Sequence, residues 1–318
     1  YEILIGLVGS EMCIRDRCEA GVLGFIQSAS VPLRALYDRP LVNDKNTTFD
    51  NLPEVCDIKL DEHQYAVIEQ MAKERREFWL EFDIRNHFKL GPVKYHNVVA
   101  SIKGTKYPDE YVIISGHLDA FDVATGGIDC GTGIGPMMEA ARLIALSGAK
   151  PKRTILFIAF AGEEFGLLGA KAYARTHQNE LGKIANLFNR DGGPTPPIGI
   201  SVPQAMYDDF VEICKPVKNI NPDFPFEVKV AKPRKRPTST GGTDASVFAV
   251  EGVPTYGFTT DDIKGYNFSY GEIWHTERDL YTKNIPEYQE HTAVVTAIVA
   301  LGVANLDKQL SREGMYKE

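Results

Sequence analysis

The sequence predicts an α/β sandwich with a mixed, mostly parallel sheet. Three observations carry that prediction. The apolar runs Tyr111–Ser115 (YVIIS) and Thr154–Phe160 (TILFIAF) are unbroken, as in strands covered on both faces. Helical patterns over Gly135–Ser147 and Leu167–His177 follow them in alternation. Polar residues gather directly after the strands, where open α/β sheets bind their ligands.

The elements follow in chain order. Tyr1–Arg17 (YEILIGLVGSEMCIRDR) has a short apolar run that ends in charged residues, unlike a signal peptide. It resembles translated sequencing-adapter read-through, which would place the true amino terminus, with any signal sequence, outside this chain. We leave it out of the fold. Gly21–Ile26 (GVLGFI) suits a short buried strand. Ser28–Asp61 is punctuated by Pro32, Pro40 and Pro53 and reads as loop. Asp61–Lys73 has helical spacing, with Tyr65, Val67, Ile68 and Met71 apolar. No polar constellation suited to chemistry occurs before Arg75. From about Glu77 the alternation is regular. Trp79–Ile84 reads as a strand with one exposed face, and Val98–Ile102 as another. After the two buried strands come Ala185–Phe188 and Pro254–Phe258, and Ile285–Leu310 forms a long closing helix.

Composition excludes several functions. A chain of 318 residues can bury a core without a disulfide scaffold. Its net charge of -8, from 35 basic and 43 acidic residues, is wrong for a nucleic-acid partner or an anionic lipid surface. The five cysteines, Cys13, Cys18, Cys56, Cys130 and Cys214, form no CxxC pair. The longest apolar candidate, Thr292–Leu306, is too short to span a bilayer.

The chemistry sits at the strand ends. Tyr111–Ser115 runs into Gly116-His117-Leu118-Asp119, and a loop then supplies Gly127-Ile128-Asp129-Cys130-Gly131. Thr154–Phe160 runs into Ala161-Gly162-Glu163-Glu164, and Ala185–Phe188 into Asn189-Arg190-Asp191-Gly192. Trp274-His275-Thr276-Glu277-Arg278-Asp279 comes later. Two imidazoles with three carboxylates form a nitrogen and oxygen donor set that suits Zn²⁺ best. Five ligands exceed one tetrahedral site with an open position. They fit two metals about 3.5–4 Å apart sharing one carboxylate. Of the adjacent Glu163 and Glu164, one can bind metal while the other moves protons. Asp119 can hydrogen-bond the far ring nitrogen of His117 and fix its tautomer, and Asp279 can do likewise for His275.

The set GHLD, GIDCGTG, AGEE, NRDGG, GGTDAS and WHTERD resembles the co-catalytic di-zinc exopeptidases of the bacterial aminopeptidase and carboxypeptidase Q type. The likeness covers about Cys18 to Glu313 and is strong after Asn97. It implies a three-layer zinc-exopeptidase fold over residues 77–318. Residues 18–76 would then be the remnant of an inserted protease-associated domain. It implies one Zn²⁺ on His117, Asp129 and Asp191, and a second on Asp129, Glu164 and His275, with Asp129 bridging. Glu163 would be the general base and Asp119 its catalytic neighbour, acting on a peptide or dipeptide in a secreted or periplasmic setting.

This chain departs from the family pattern twice. Cys130 follows the bridging Asp129, where Asp or Asn is usual. Ser239-Thr240-Gly241-Gly242 lacks a Tyr that some relatives use to steady the oxyanion, so that help comes from elsewhere or from the metals. A nucleophilic Cys130 has no His or Asn relay to serve it. Gly131, Gly133 and Gly135 lack the strand–GxGxxG–helix context of a nucleotide site. Asp244 serves either the pocket or a helix cap. The basic run Lys232–Arg236 is either a solvated loop or a source of a cation for a substrate carboxylate. Within enzymes the rival is a single-zinc, glutaminyl-cyclase-like transferase. Outside them it is a receptor-like domain that has lost ligands, and none is lost here.

Overall fold

The structure, a computed structural model, describes residues 24–29, 48–51, 56–85, 91–121 and 123–317. The adapter-like segment 1–17 and the start of the strand expected at Gly21 lie outside them. The chain divides into two compact units: residues 1–93 with 275–277, and residues 94–274 with 278–318.

In the first unit, strands β1 (Gly24–Ala29) and β2 (Cys56–Asp61) pair in parallel, and helix α1 (Glu62–Lys73) follows. Asp61 starts that helix by accepting a hydrogen bond from the His63 amide at 2.9 Å. The strand expected at Trp79–Ile84 is not formed; these residues are irregular, and Trp79 is 89% exposed. Alternation defines a face, but a strand also needs a partner ladder, and no described strand supplies one here.

The second unit is built on a four-stranded sheet in the order β3-β5-β4-β6. Its strands are β3 (Val98–Ile102), β4 (Tyr107–His117), β5 (Arg153–Phe160) and β6 (Ile184–Asn189). β4 lies parallel to both β5 and β6, while β3 runs antiparallel along the edge. His117 stands opposite Phe160, and Ser115 opposite Asn189, so the polar ends of the three parallel strands share one edge.

Successive side chains of β4 enter opposite cores, as a pleated strand requires. Val112 and Ile114 join Ile155 and Phe157 against helices α2 (Gly131–Leu146) and α6 (Pro286–Ala304). Ile113 joins Ile158, Phe160 and Leu187 against α3 (Leu168–Thr176) and α5 (Ala245–Val250). Helices on both faces of the sheet make the three-layer sandwich that the sequence predicts. Each such fully buried aliphatic side chain contributes roughly 1.5–3 kcal/mol. A second sheet, ordered β8-β7-β9, combines β7 (Pro197–Val202) with β8 (Glu227–Val230) and β9 (Phe258–Thr260), and α4 (Gln204–Cys214) follows β7.

Three boundaries differ from expectation. α2 begins at Gly131 rather than Gly135, because Thr132 bonds back to the Ile128 carbonyl and carries the glycine-rich stretch into the helix. The strand expected at Pro254–Phe258 is regular only from Phe258. Before it, the Asn186 side-chain amide stands in for a peptide group, exchanging two hydrogen bonds of 3.0 Å with the Tyr256 backbone. The closing helix stops at Ala304, with Asn305 as its cap. Among the described residues no helix is long and apolar enough to cross a membrane.

Candidate metal centre

His117 ends β4 and is 1% exposed. Its Nε2 lies 2.9 Å from Asp129 Oδ1 and 3.4 Å from Asp191 Oδ1. Burial alone pushes this imidazole down, but hydrogen bonds to the Asp129 and Asp191 carboxylates outweigh it and raise the ring above its ordinary value. Ligand atoms of His117, Asp129 and Glu164 lie within 4.8 Å of one another, as do those of His117, Cys130 and Asp191. The sequence-predicted ligands His117, Asp129, Glu164 and Asp191 are thus brought together.

His275 is buried and has a left-handed backbone, φ 57°. It belongs with the short stretch 275–277 that groups with the first unit. Asp279, four residues on, returns to the second unit. Its carboxylate accepts from the Ile128 amide at 2.6 Å and the Asp129 amide at 3.3 Å. It therefore orients the Asp129 loop, a task beyond the one expected of it.

Asp119 also works differently from expectation. Its backbone carbonyl, not its carboxylate, takes the hydrogen bond of His117 Nδ1 at 2.9 Å; the nearer carboxylate oxygen is 3.8 Å away. The carboxylate instead accepts from the amides of Glu163 and Glu164, both at 3.1 Å. An aspartate two residues beyond the histidine reaches the neighbouring strand end more easily than it folds back on the ring.

The acidic groups crowd one another. Burial, then Asp191, Asp244 and Glu164, push Glu163 up to about 8 against the opposing pull of His117. Asp244 is fully buried, and neither carboxylate oxygen has a hydrogen-bond partner among the described residues. It makes no cap hydrogen bond to α5, so the capping alternative falls. Burial, with Asp191 and Asp119 nearby, raises it to about 7 despite His117. Buried carboxylates in this number need a cation. The nitrogen and oxygen donors fit Zn²⁺, and the residues therefore fit the metal that the pattern implies.

Supporting contacts hold the strand ends. Asn189 accepts from the Ser115 hydroxyl at 2.7 Å and donates to Thr243 Oγ1 at 2.6 Å. Cys130 follows a cis peptide bond, and its buried thiol donates to the Arg190 carbonyl at 3.0 Å. Arg190 donates to the Thr132 and Thr195 carbonyls, and burial lowers its guanidinium to about 10.

Tyr270 was not singled out from sequence. Burial and the charges of Asp129 and Asp191 hold its phenol far above the ordinary tyrosine range. The available signal was its place five residues before His275. Two cavities open on Asp191. One, of about 350 Å³, is lined by Gly192 and Tyr270. The other, of about 380 Å³, is lined by Thr243 and Arg234.

Fold and donor set together define a protein class. The chain matches peptidase family M28 over residues 97–299 and belongs to that family. Among curated relatives it is 31% identical to carboxypeptidase Q of Rattus norvegicus over 236 residues, covering 71% of this chain and 46% of that protein. It is 32% identical to carboxypeptidase Q of Mus musculus over 231 residues, with the same coverage. The chain thus spans about half the length of these relatives. Among solved structures it resembles a peptidase M28 precursor from Shewanella amazonensis SB2B, with TM-score 0.68 and 26% identity. That match covers 92% of this chain and 62% of the other. An aminopeptidase from Aneurinibacillus sp. strain AM-1 shares the fold at TM-score 0.55 and 18% identity, over 97% of this chain and 69% of that one.

Proposed function

We propose that the protein is a zinc-dependent exopeptidase that cleaves peptide bonds next to a chain terminus. The convergence of Asp129 and Asp191 on His117 Nε2, with the Glu163–Glu164 pair at the next strand end, carries this reading. His117, Asp129 and Asp191 would hold one zinc, and Asp129, Glu164 and His275 a second. Zinc held there would supply Lewis-acid polarisation of the scissile carbonyl and a more acidic water near neutral pH. Glu163, partly buried and outside the ligand set, takes the proton of the attacking water at its carboxylate and delivers it to the leaving amine. Asp119 positions both glutamates through their amides. Tyr270, protonated across the working pH range, offers its phenol proton to the developing oxyanion. Residues 18–76 belong to an inserted protease-associated domain, and a secreted or periplasmic setting is part of the same proposal.

The test contrasts two neighbouring carboxylates. Glu163→Gln keeps about two zincs per chain and loses on the order of 10² to 10⁴ in kcat, with KM little changed. Glu164→Ala loses zinc and thermal stability together. Zinc stoichiometry measured beside kcat decides the matter: loss of zinc in Glu163→Gln and its retention in Glu164→Ala would reverse the two roles.

A further inference from the structure

A third cavity, of about 330 Å³, lies between helices α3 and α5 and shares no lining residue with the two cavities at Asp191. Its floor is apolar. Ala174, Leu181 and Val247 are buried members of the core on that face of the sheet, and Val250 extends the surface they make. Its rim is charged. α3 supplies Lys171 and Arg175, four residues apart and so on one face of that helix, and Gln178 follows them. Glu251, at the end of α5, supplies the opposite charge.

These charges are not spent on one another. Lys171 Nζ donates to the Gly166 carbonyl at 2.8 Å. The side chains of Arg175, Gln178 and Glu251 are exposed and have neither an ion pair nor a hydrogen bond among the described residues. Arg175 and Glu251 thus border one cavity without meeting. A cation in the last turn of a helix has an ordinary reason, since it faces the negative end of the helix dipole. That reason covers Arg175 but not a carboxylate across the same cavity. Opposite charges held apart over an apolar floor match a molecule that carries both charges and an apolar body. The volume lies at the small end for ligand sites and takes one such molecule, not an extended peptide. The peptide hydrolysis proposed above releases molecules of this kind.

Resting on the exopeptidase reading for the source of its ligand, we propose that this cavity is a second, non-catalytic site for a free apolar α-amino acid. Arg175 and the Gln178 amide hold the carboxylate, Glu251 holds the ammonium group, and the side chain lies over Leu181, Val247 and Val250. Exposed ion pairs contribute little each, so the affinity is low, with Kd about 1 mM.

The test is a ligand-observed NMR titration of the zinc-loaded protein, with excess acetohydroxamate occupying the metal centre. The ligands are leucine, leucine amide, isocaproate and glycine. Leucine binds about three- to fivefold more tightly than the amide, which lacks the carboxylate, and than isocaproate, which lacks the ammonium group. Glycine, without an apolar body, loses about tenfold or more. Arg175→Met removes most of the preference over the amide and keeps that over isocaproate; Glu251→Gln does the opposite. Arg236→Met, outside the cavity, changes neither. Absence of leucine binding, equal binding of leucine, its amide and isocaproate, or preferences that survive both variants overturns the proposal. Peptide hydrolysis by the same protein separates the two readings. Leucine binding without turnover removes the exopeptidase reading and leaves the site; turnover without leucine binding does the reverse.

Discussion

The loop Gly126–Cys130 is clamped from far along the chain, whereas Gly162–Leu167 is closed mainly upon itself. In the first, Gly127, Ile128 and Asp129 all donate to Asp279, through its backbone or its carboxylate, and Asn284 donates to the Gly127 carbonyl at 2.8 Å. In the second, the Gly166 and Leu167 amides return to the Glu163 carbonyl at 2.9 Å, and Leu168 to Gly162 at 2.9 Å. Asp119 supplies a long-range tie, accepting from the amides of both its glutamates. The difference matches the work proposed for each loop. On that proposal Asp129 is shared by two metals and must not move, and it is 3% exposed. A carboxylate that carries a proton from water to an amine must swing, and Glu163 sits on the more open loop.

The most damaging way to break this contrast is to crowd the first loop. A Cβ on Gly127 would collide with the backbone of Leu280 and Tyr281. Gly127→Ala is expected to cost about 3 kcal/mol or more, read as a fall in denaturation midpoint, and to prevent zinc loading. A smaller effect comes from the two clamps. Asp279→Ala leaves the Ile128 and Asp129 amides without that acceptor and should weaken zinc binding about 10- to 100-fold in a competitive chelator titration. Asp119→Ala should weaken zinc binding less than Asp279→Ala and also lower kcat, because it removes the acceptor of the Glu163 and Glu164 amides but keeps the backbone carbonyl that holds His117. Equal zinc loss in both variants would erase the distinction between the loops.

Smaller again is the pH dependence of the zinc-free protein. Asp244 titrates at about 7 in the fold against an ordinary 3.8, so the stability of its protonated form is complete at low pH and is lost as pH rises through about 7. Glu163, raised to about 8, acts in the same direction. Thermal melts of zinc-free protein should therefore show Tm falling between pH 5.5 and 8, and zinc should flatten the slope. A zinc-free Tm that rises over this range contradicts the crowding of these carboxylates. The mildest change is Gly166→Ala. The residue has φ 109°, but nothing lies within 4 Å of the added carbon. Strain alone should cost about 1–3 kcal/mol at most, with zinc content unchanged.

Much of the sheet was legible because buried parallel strands leave unbroken apolar runs, as at YVIIS and TILFIAF. The donors after those runs were legible for a related reason: a charged residue ending an apolar strand is expensive unless something pairs with it. What was not legible depends on partners distant in sequence. Trp79–Ile84 alternates as a strand does yet has no described neighbour to pair with. β7, β8 and α4 are short or weakly patterned and take their form from the second sheet. Asp244 offered two meanings until its burial and missing cap contact separated them. Asp119 showed the right residue with the wrong atom, since two residues of spacing cannot tell a carbonyl from a carboxylate. Tyr270 has only its place before His275 to mark it in the sequence, and is picked out in the fold by the charges that surround it.

The clamp at Asp279 also has a consequence for how the protein is made. Ile128 and the aspartate that holds it are 151 residues apart. While the ribosome adds that stretch, the strand before the loop can already pair, but the loop's amides lack their acceptor. The site can then take its final shape only after Asp279 has been made, so a nascent chain carries an acidic, half-assembled pocket until that point. Metal capture then comes after the four-stranded sheet is in place, and not while it forms.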